Sequence, residues 1–425
     1  MPRSISSPSW TSDLIRDLLD HDDPTFRAWG IRFAGNLGRV KPDLLETLAD
    51  LAADPSADVR LQVAIASRKV EGLDGMATLL AVLGHSESSD PLIPRIVWQN
   101  LHPMLGRPEA VARLVELLEG ADRSGSASLA EMLPRTLDRI IAVDAVEGRT
   151  IADLARFALE QGHLNLGTHR ACLATLADQI RQGRFDGDRL ASLRDRLQPT
   201  ARRSLEDEDD PIRPAFARLA ALWGDADALG LVRQRFVDSE VEEAERRAAL
   251  DVLISTGDAQ VLDLSTRVIT DAQAGSVPFR GEVLAAIGQI NEPSVADRIL
   301  GAYSTLEPEL KPRAVALLTQ RPAWSRALLE AIGRRELPPQ VLNVNQVRTL
   351  LDSPDRELAD LVRQTWGTVR EGRDPAREEV IARIRGQLSK ASGDPVAGRL
   401  VFNRVCAQCH PIYGSGEQVG PDVTG

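Results

Sequence analysis

An arginine that recurs roughly every 35 residues constrains the fold of this 425-residue chain more than any other feature. Each copy follows an Asp-Pro pair or an acidic cluster and precedes an apolar stretch, as in DDPTFRAWGIRFAGNLG from Asp22 and DPIRPAFARLAALWG from Asp210. A fixed period of about 20 to 50 residues indicates a repeat architecture. The sequence therefore predicts ten repeating units, of which the middle ones are the least regular. The marker arginines are Arg27, Arg60, Arg95, Arg135, Arg170, Arg213, Arg246, Arg280, Arg313 and Arg348.

Residues that start and stop helices stand at fixed places in these units. Asp can cap a helix and Pro is tolerated at its first position, so Asp54-Pro55 and Asp210-Pro211 are predicted to open helices. The apolar residues that follow recur at three and four positions, which gives a stripe that a single helix pair cannot bury. Glycine eleven residues after the marker arginine predicts a left-handed helix end. It stands at Gly38, Gly106, Gly224 and Gly257.

Composition favours helices and excludes several classes of protein. Aromatic residues make up 4% of the chain while Ala, Leu and Arg dominate, which predicts an all-α fold. The formal net charge is -11 with the two signs interleaved, so no basic surface invites nucleic acid. No run of 18 apolar residues is present, which excludes a transmembrane segment. The sequence also shows no constellation of nucleophile, base and oxyanion donor, so we predict no enzymatic activity.

The two-helix unit resembles the HEAT-repeat family, in which the arginine lies early in the second helix. That resemblance implies a HEAT/armadillo-like, right-handed α-solenoid of about ten helix pairs over residues 12–367. The tetratricopeptide repeat has a similar period, but its Trp, Gly, Tyr and Pro pattern is missing here. We expect the repeated arginines to cap helices or to form ion pairs between units rather than to bind a ligand.

One pair of potential metal ligands lies inside the repeats. His169 and Cys172 are three residues apart, which places both on one face of a helix. A zinc site needs three or four ligands, and the same segment carries the apolar residues Leu173, Leu176 and Ile180. We therefore expect Cys172 to be a buried free thiol.

The period stops after Trp366-Gly367. Residues 368–392 are predicted to form a connector with one helix, whose apolar face is Val380, Ile381, Ile384 and Leu388. The last segment, residues 393–425, contains Cys406-Ala407-Gln408-Cys409-His410, which is the CxxCH pattern of c-type haem attachment. Two cysteines one helical turn apart can form thioethers with the two vinyl groups of a porphyrin, and His410 can then be the proximal iron ligand.

Residues around this pentapeptide resemble the N-terminal third of a class I cytochrome c. Gly398 and Phe402 are spaced by four ahead of Cys406, and Gly420-Pro421 resembles the family's Gly-Pro turn. The resemblance implies that the Pro421 carbonyl accepts a hydrogen bond from His410. Helical repeats, a connecting helix and then this motif resemble bacterial proteins that end in a haem-binding domain, often preceded by a dehydrogenase-like β-propeller. This resemblance implies one covalent haem c, redox partner proteins and a periplasmic or extracytoplasmic location.

The segment also departs from that family. A class I cytochrome needs a sixth ligand, usually Met, after the CxxCH sequence, but the four methionines of this chain all precede it. The first ten residues, MPRSISSPSW, lack the apolar core of a secretory signal. We therefore interpret the chain as a piece of a larger exported protein.

Three hypotheses follow from the motifs. The main one is a haem-binding electron-transfer protein, with a c-type cytochrome module carried on a helical-repeat scaffold. The alternative is a scaffold whose solenoid surface binds proteins and whose C-terminal segment holds no haem. A third, weaker hypothesis is a metal or thiol-redox site at the CxxC pair. Zinc would need a second ligand pair, and thioredoxin-like chemistry expects a βαβ context that these helical flanks lack.

Overall fold

The computed structural model describes residues 9–87, 89–120, 127–160, 165–185, 187–366, 375–390, 393–417 and 423–424. Within these ranges the regular structure is helical, apart from one isolated bridge between Ile412 and Ser415, which confirms the predicted all-α class. The α-helices are α1 Ser9–Leu19, α2 Pro24–Leu37, α3 Pro42–Asp50, α4 Ala57–Ala66, α5 Gly75–Gly84, α6 Ile93–Met104, α7 Pro108–Gly120, α8 Ala127–Ile141, α9 Gly148–Glu160, α10 Leu166–Arg181, α11 Gly187–Glu206, α12 Arg213–Leu222, α13 Ala226–Val237, α14 Glu243–Ser255, α15 Val261–Thr270, α16 Val277–Ile287, α17 Ser294–Ala302, α18 Lys311–Leu318, α19 Pro322–Gly333, α20 Val344–Leu351, α21 Arg356–Trp366, α22 Pro375–Leu388 and α23 Pro395–Val405.

The chain divides into two compact units, Met1–Trp324 and Ser325–Gly425. In the first unit the even-numbered helices α2 to α18 form a series in which each packs against the next. A second series runs alongside it, with α7 on α9, α9 on α11, α13 on α15 and α15 on α17. This is the predicted stack of helix pairs, and it is confirmed in the first unit. The domain boundaries at 367/368 and 392/393 stay predictions, since residues 367–374 and 391–392 lie outside the described ranges.

Small side chains allow the helices of the first unit to pack closely. In α12, Ala217, Ala220 and Ala221 are buried together with Phe216. Where α9 begins, a Cβ added to Gly148 would lie 2.7 Å from the Cα of Arg189 in α11, so only glycine fits there. A core made mostly of Ala, Leu and Val explains how a chain with few aromatic residues stays well buried.

The predicted helix starts at the Asp-Pro pairs were wrong by about two residues. Helix α4 begins at Ala57 and α12 begins at Arg213, both after the prolines. The Asp54 carboxylate accepts a hydrogen bond from the Ser56 amide at 2.8 Å, and that of Asp210 accepts one from the Ile212 amide at 2.9 Å. An aspartate that bonds two residues ahead closes a turn, so each pair forms the turn before the helix.

Three of the four predicted helix-ending glycines adopt the left-handed conformation. The φ angle is 75° at Gly38, 92° at Gly224 and 64° at Gly257. The prediction was wrong for Gly106, whose φ angle is not positive. A Cβ added to Gly106 would lie 3.1 Å from an Arg139 guanidinium nitrogen, so its small size has a packing reason instead.

Candidate functional site

Helix α23 leads directly into the cysteine pair. It begins after Asp394, whose carboxylate accepts hydrogen bonds from the amides of Val396 and Ala397 at 2.8 and 3.2 Å. It ends where the Cys406 amide donates to the Phe402 carbonyl at 2.8 Å. The sequence Asp-Pro therefore opens this helix as a true cap, and the helix end places Cys406 at the start of the pentapeptide.

The pentapeptide forms one helical turn. The amides of Cys409 and His410 both donate to the Cys406 carbonyl, at 3.0 and 2.9 Å. Cys406 and Cys409 are free thiols and are exposed, whereas His410 is half-buried. The structure thus brings the three predicted residues together on one turn and leaves both sulfur atoms open to solvent.

The loop after His410 folds back onto this turn. The Glu417 amide donates to the Ala407 carbonyl at 2.8 Å, and the Val423 amide donates to the Pro411 carbonyl at 3.0 Å. Gly416 has a φ of 119°, and a Cβ there would collide with the His410 carbonyl. Only glycine therefore fits at position 416. This constraint was not predicted, although the Gly-Ser-Gly spacing after Tyr413 indicates it.

A groove of about 400 Å³ lies beside the turn. Its walls include Gly398 and Phe402 from α23 and Ile412 and Tyr413 from the loop. The predicted alignment of Gly398 and Phe402 on one helix face agrees with this lining. Pro421, predicted to orient His410, lies outside the described residues together with Gly420, so its role stays a prediction.

Apolar side chains around the site face solvent. On α23, Leu400 is 69% exposed and Val405 is 61% exposed, and Tyr413 in the loop is 80% exposed. The predicted apolar face of α22 exists, but its residues are also exposed, with Leu388 at 72%. Contiguous exposed apolar surface is a feature of sites where proteins bind ligands or other proteins.

The donor set fits a c-type haem. Two accessible thiols on one turn match the two vinyl groups, and the adjacent imidazole supplies a nitrogen ligand for iron. Within the described residues, no cluster of three or more His, Cys, Asp or Glu side chains could hold a metal ion by itself. A zinc site built from protein ligands alone is therefore not formed by the described residues at Cys406 and Cys409.

Some of the marker arginines join consecutive repeats, which is one of the two predicted roles. The Arg27 guanidinium in α2 donates to both Asp54 carboxylate oxygens at 2.7 and 3.0 Å, and Asp54 belongs to the next unit. Arg60 in α4 then donates to the carbonyls of Asp54 and Pro55 at 2.6 and 3.0 Å. The turn between the units is thereby held from both sides.

The same arrangement recurs farther along the chain. Arg246 in α14 is buried and donates to the carbonyls of Phe236 and Ala274 at 2.9 and 2.6 Å, with its guanidinium 4.5 Å from the Phe279 ring centre. Arg280 in α16 donates to Glu307 at 2.6 Å. Arg246 and Arg280 therefore bind turn carbonyls or a carboxylate of a neighbouring unit, and sequence spacing alone did not identify these acceptors.

Cys172 behaves as the sequence analysis predicted. Its side chain is fully buried in α10, and burial raises the pKa of the thiol to about 12. A neutral buried thiol packs as a small apolar group and does not bind metal or act as a nucleophile.

Among the parts of the chain that the structure describes, no helix has the length and apolar character needed to cross a membrane.

Comparisons with known proteins place few limits on function. No family model and no curated protein sequence matches this chain. A crystal structure of Kap121p aligns over 86% of this chain and 38% of its own, with 17% identity and a TM-score of 0.37. The karyopherin Kap121p bound to the SUMO protease Ulp1p aligns over 96% and 41%, with 15% identity and a TM-score of 0.37. A homology model of the full-length AP-3 complex covers 85% of both chains at a TM-score of 0.25.

The chain spans about two fifths of the length of Kap121p. TM-scores below 0.5 carry no argument about activity or partners, so function has to be argued from the residues of this chain.

Proposed function

We propose that the C-terminal segment of this chain attaches one haem c and transfers electrons between partner proteins, with the helical repeats as its scaffold. The observation that carries this proposal is the single exposed turn that holds Cys406, Cys409 and His410. Because haem is attached to CxxCH sequences outside the bacterial cytoplasm, the proposal includes a periplasmic or other extracytoplasmic location. It assigns electron transfer rather than catalysis.

Each residue of the turn has a defined task. Cys406 and Cys409 would hold the haem through thioethers, in which each thiol adds across one of its two vinyl groups. His410 would supply an imidazole nitrogen as a ligand for the iron, and its amide bond to the Cys406 carbonyl keeps it on the same turn. When bound, the haem supplies one-electron redox chemistry. Phe402 and Ile412, which line the adjacent groove, offer apolar surface to a large, mostly apolar ligand.

The test is covalent haem retention after export with a c-type maturation system. The protein should keep haem on a denaturing gel, and its reduced pyridine complex should show the c-type absorption band. Replacing both Cys406 and Cys409 by Ala should abolish retention. Cys172→Ala is the matched control, because this cysteine is buried and outside the motif, and it should retain haem fully. His410→Ala should change the spectrum of the attached haem.

Two results would overturn the proposal. One is a correctly folded, exported wild-type protein that never retains haem. The other is stoichiometric zinc in place of haem, which would favour the metal hypothesis for the CxxC pair.

A second candidate function is a scaffold that binds partner proteins on the repeats. The observation that favours it is an exposed aromatic pair on α2, where Phe26 is 46% exposed and Trp29 is 57% exposed. Aromatic residues are concentrated at protein interfaces, where they contribute much of the binding energy. His21 lies against the Phe26 ring at 4.3 Å and Arg32 lies 5.1 Å from the Trp29 ring centre, so the pair is held in place.

This second function is tested with a partner purified from the producing cells. Replacing Phe26 and Trp29 by Ala should weaken binding of that partner at least tenfold. Leu92→Ala, which removes another exposed apolar side chain, is the control and should leave binding unchanged. Equal binding by all three proteins would remove α2 as the interface.

A further inference from the structure

A cleft of about 470 Å³ opens among α10, α12, α13 and α14 in the first unit. Its apolar lining comes from Ala217, Leu231, Val232 and Ala249. Arginines from three helices also line it: Arg170 from α10, Arg213 and Arg218 from α12, and Arg235 from α13. The four guanidinium groups make part of the wall of this cavity positively charged.

Three of these arginines have no carboxylate partner among the described residues. Arg170 donates to the Pro211 carbonyl at 2.9 Å, and Arg213 donates to the Leu205 carbonyl at 3.1 Å. The Arg218 guanidinium has neither a hydrogen bond nor an ion pair within the described part of the chain. Only Arg235 is neutralised directly, by Glu245 at 2.7 Å. A half-buried cation without a partner has unused capacity to bind an anion.

The electrostatic surroundings of Arg218 point the same way. Burial lowers the pKa of Arg218. The negative charges of Glu245 and Asp178 oppose this shift, whereas the positive charges of Arg235 and Arg170 add to it. An anion placed in the cleft would relieve both the burial penalty and the repulsion between like charges.

Acidic residues line the same cleft. Glu208, Asp209, Asp210 and Asp238 all contribute to the lining. The Asp210 carboxylate accepts from the Ile212 amide, and that of Asp238 accepts from the Glu240 amide at 3.0 Å, so these two are fixed by backbone bonds. Clustered carboxylates disfavour a polyanion such as nucleic acid, and they attract a cation that accompanies the bound anion.

We propose that this cleft binds a peptide segment of mixed charge from a partner protein, with a Glu or Asp side chain bound by Arg218 and an adjacent Lys or Arg bound by the acidic residues. This inference rests on the scaffold as the second proposed function and is independent of the haem. Guanidinium groups bind carboxylates through paired hydrogen bonds, which gives the acidic residue of the peptide a defined position.

The probes are three acetylated peptides that differ only at two central positions. They carry Glu-Lys, Glu-Glu or Lys-Lys between flanking Gly-Ser pairs, and inorganic phosphate is the fourth probe. Binding to the full chain is measured by ligand-observed NMR at low salt. We expect the Glu-Lys peptide to bind at least fivefold more tightly than the other two peptides, and to be displaced by raised ionic strength.

Variants at Arg218 sharpen this test. Arg218→Gln should weaken Glu-Lys binding at least fivefold, and Arg218→Glu should switch the preference to the Lys-Lys peptide. That gain of binding cannot result from misfolding. Arg298→Gln is the control, because Arg298 is an exposed arginine on α17 that pairs with Asp263 and is not part of the cleft.

Other outcomes would overturn the inference. Equal binding of all three peptides, or no effect of the Arg218 variants, would exclude the cleft as a peptide site. Phosphate that binds more tightly than the Glu-Lys peptide would make it a small-anion site instead. The Glu-Lys peptide can bind as expected while the Phe26 and Trp29 variants bind the partner normally. That result would exclude α2 as the interface and leave the peptide cleft supported.

Discussion

The repeats of the first unit and the C-terminal segment use polar and apolar residues in opposite ways. In the repeats, charged side chains such as Arg246 and Arg280 are buried and hold neighbouring units together. In α22 and α23, apolar side chains such as Leu388 and Leu400 are exposed, and Cys406 and Cys409 after α23 are exposed as well. The repeats are therefore stabilised by contacts between units, whereas the described part of the C-terminal segment leaves apolar side chains uncovered.

The largest expected contrast is in thiol reactivity. In the haem-free protein at pH 8, iodoacetamide should label Cys406 and Cys409 within minutes and leave Cys172 unlabelled. The pKa of Cys172 is about 12, which leaves about one thiolate in ten thousand at that pH, and the side chain is also inaccessible. Mass spectrometry of the digested protein gives the labelling of each cysteine.

Denaturant supplies the control for this measurement. In guanidinium all three cysteines should react, because unfolding exposes Cys172. Labelling of Cys172 as fast as Cys406 in the native protein would show that α10 is not packed as described.

A second contrast concerns the buried arginines. Arg246→Met should destabilise the first unit by about 2 to 4 kcal/mol, because the carbonyls of Phe236 and Ala274 would both lose a donor in a buried place. Urea unfolding followed by circular dichroism measures this. Arg298→Met, at an exposed ion pair, should cost less than about 1 kcal/mol. Similar losses for both variants would refute the special role of the buried arginine.

The sequence was sufficient to predict the structural roles of some residues of the repeats, but not of others. The arginine period and the helix-ending Gly38 follow from local patterns, and both were predicted. Asp54 was read as a helix cap, because the acceptor role that it has for Arg27 depends on a residue one full unit away. Arg218 stands five residues after a marker arginine and has no local signal, because the cleft exists only once four helices are packed.

At the C-terminal site, too, some features could be predicted from the sequence and others could not. The CxxCH pattern predicted the turn that holds both thiols, because hydrogen bonds over three and four residues are local. Gly416 was missed, since its need for a small side chain arises only when the loop returns to the His410 carbonyl. Features that depend on neighbouring residues in the sequence were thus predictable. Features that arise only when the loop folds back onto the turn were not.

A third variant tests whether the repeat joints need space as well as charge. Gly281→Ala would place a methyl group against the Arg313 guanidinium, and either the helices or the arginine would have to move. We expect a loss of no more than about 1 kcal/mol, because Arg313 is exposed and its side chain can move away from the added methyl group.

Gly301→Ala is the matched control for this change. Gly301 lies in α17 with open space where its Cβ would be, so alanine should be neutral or stabilising by up to about 1 kcal/mol through helix propensity. If Gly281→Ala were as stable as Gly301→Ala in urea, Arg313 would have to be free to leave α16 at no cost.

The smallest expected effect is on the pH dependence of stability in the cleft region. Burial alone would raise the pKa of Glu245, but the hydrogen bond from Arg235 and the charges of Arg235, Arg218 and Arg170 lower it below its ordinary value of 4.5. A carboxyl with a depressed pKa in the folded state stabilises the protein fully above the pKa of the unfolded chain. That stabilisation is lost as the pH falls through the lower, folded-state pKa.

Glu245→Gln should therefore be less stable than the wild type at pH 7, and the difference should shrink progressively below about pH 4.5 as Glu245 becomes protonated. Urea unfolding at pH 7, 5, 4 and 3 measures the difference directly. Glu330→Gln is the control, because Glu330 in α19 forms only an exposed pair with Arg334, and this change should alter stability little at pH 7. A difference for Glu245→Gln that grows as the pH falls would reverse the sign of the argument and show that the cleft arginines do not stabilise this carboxylate.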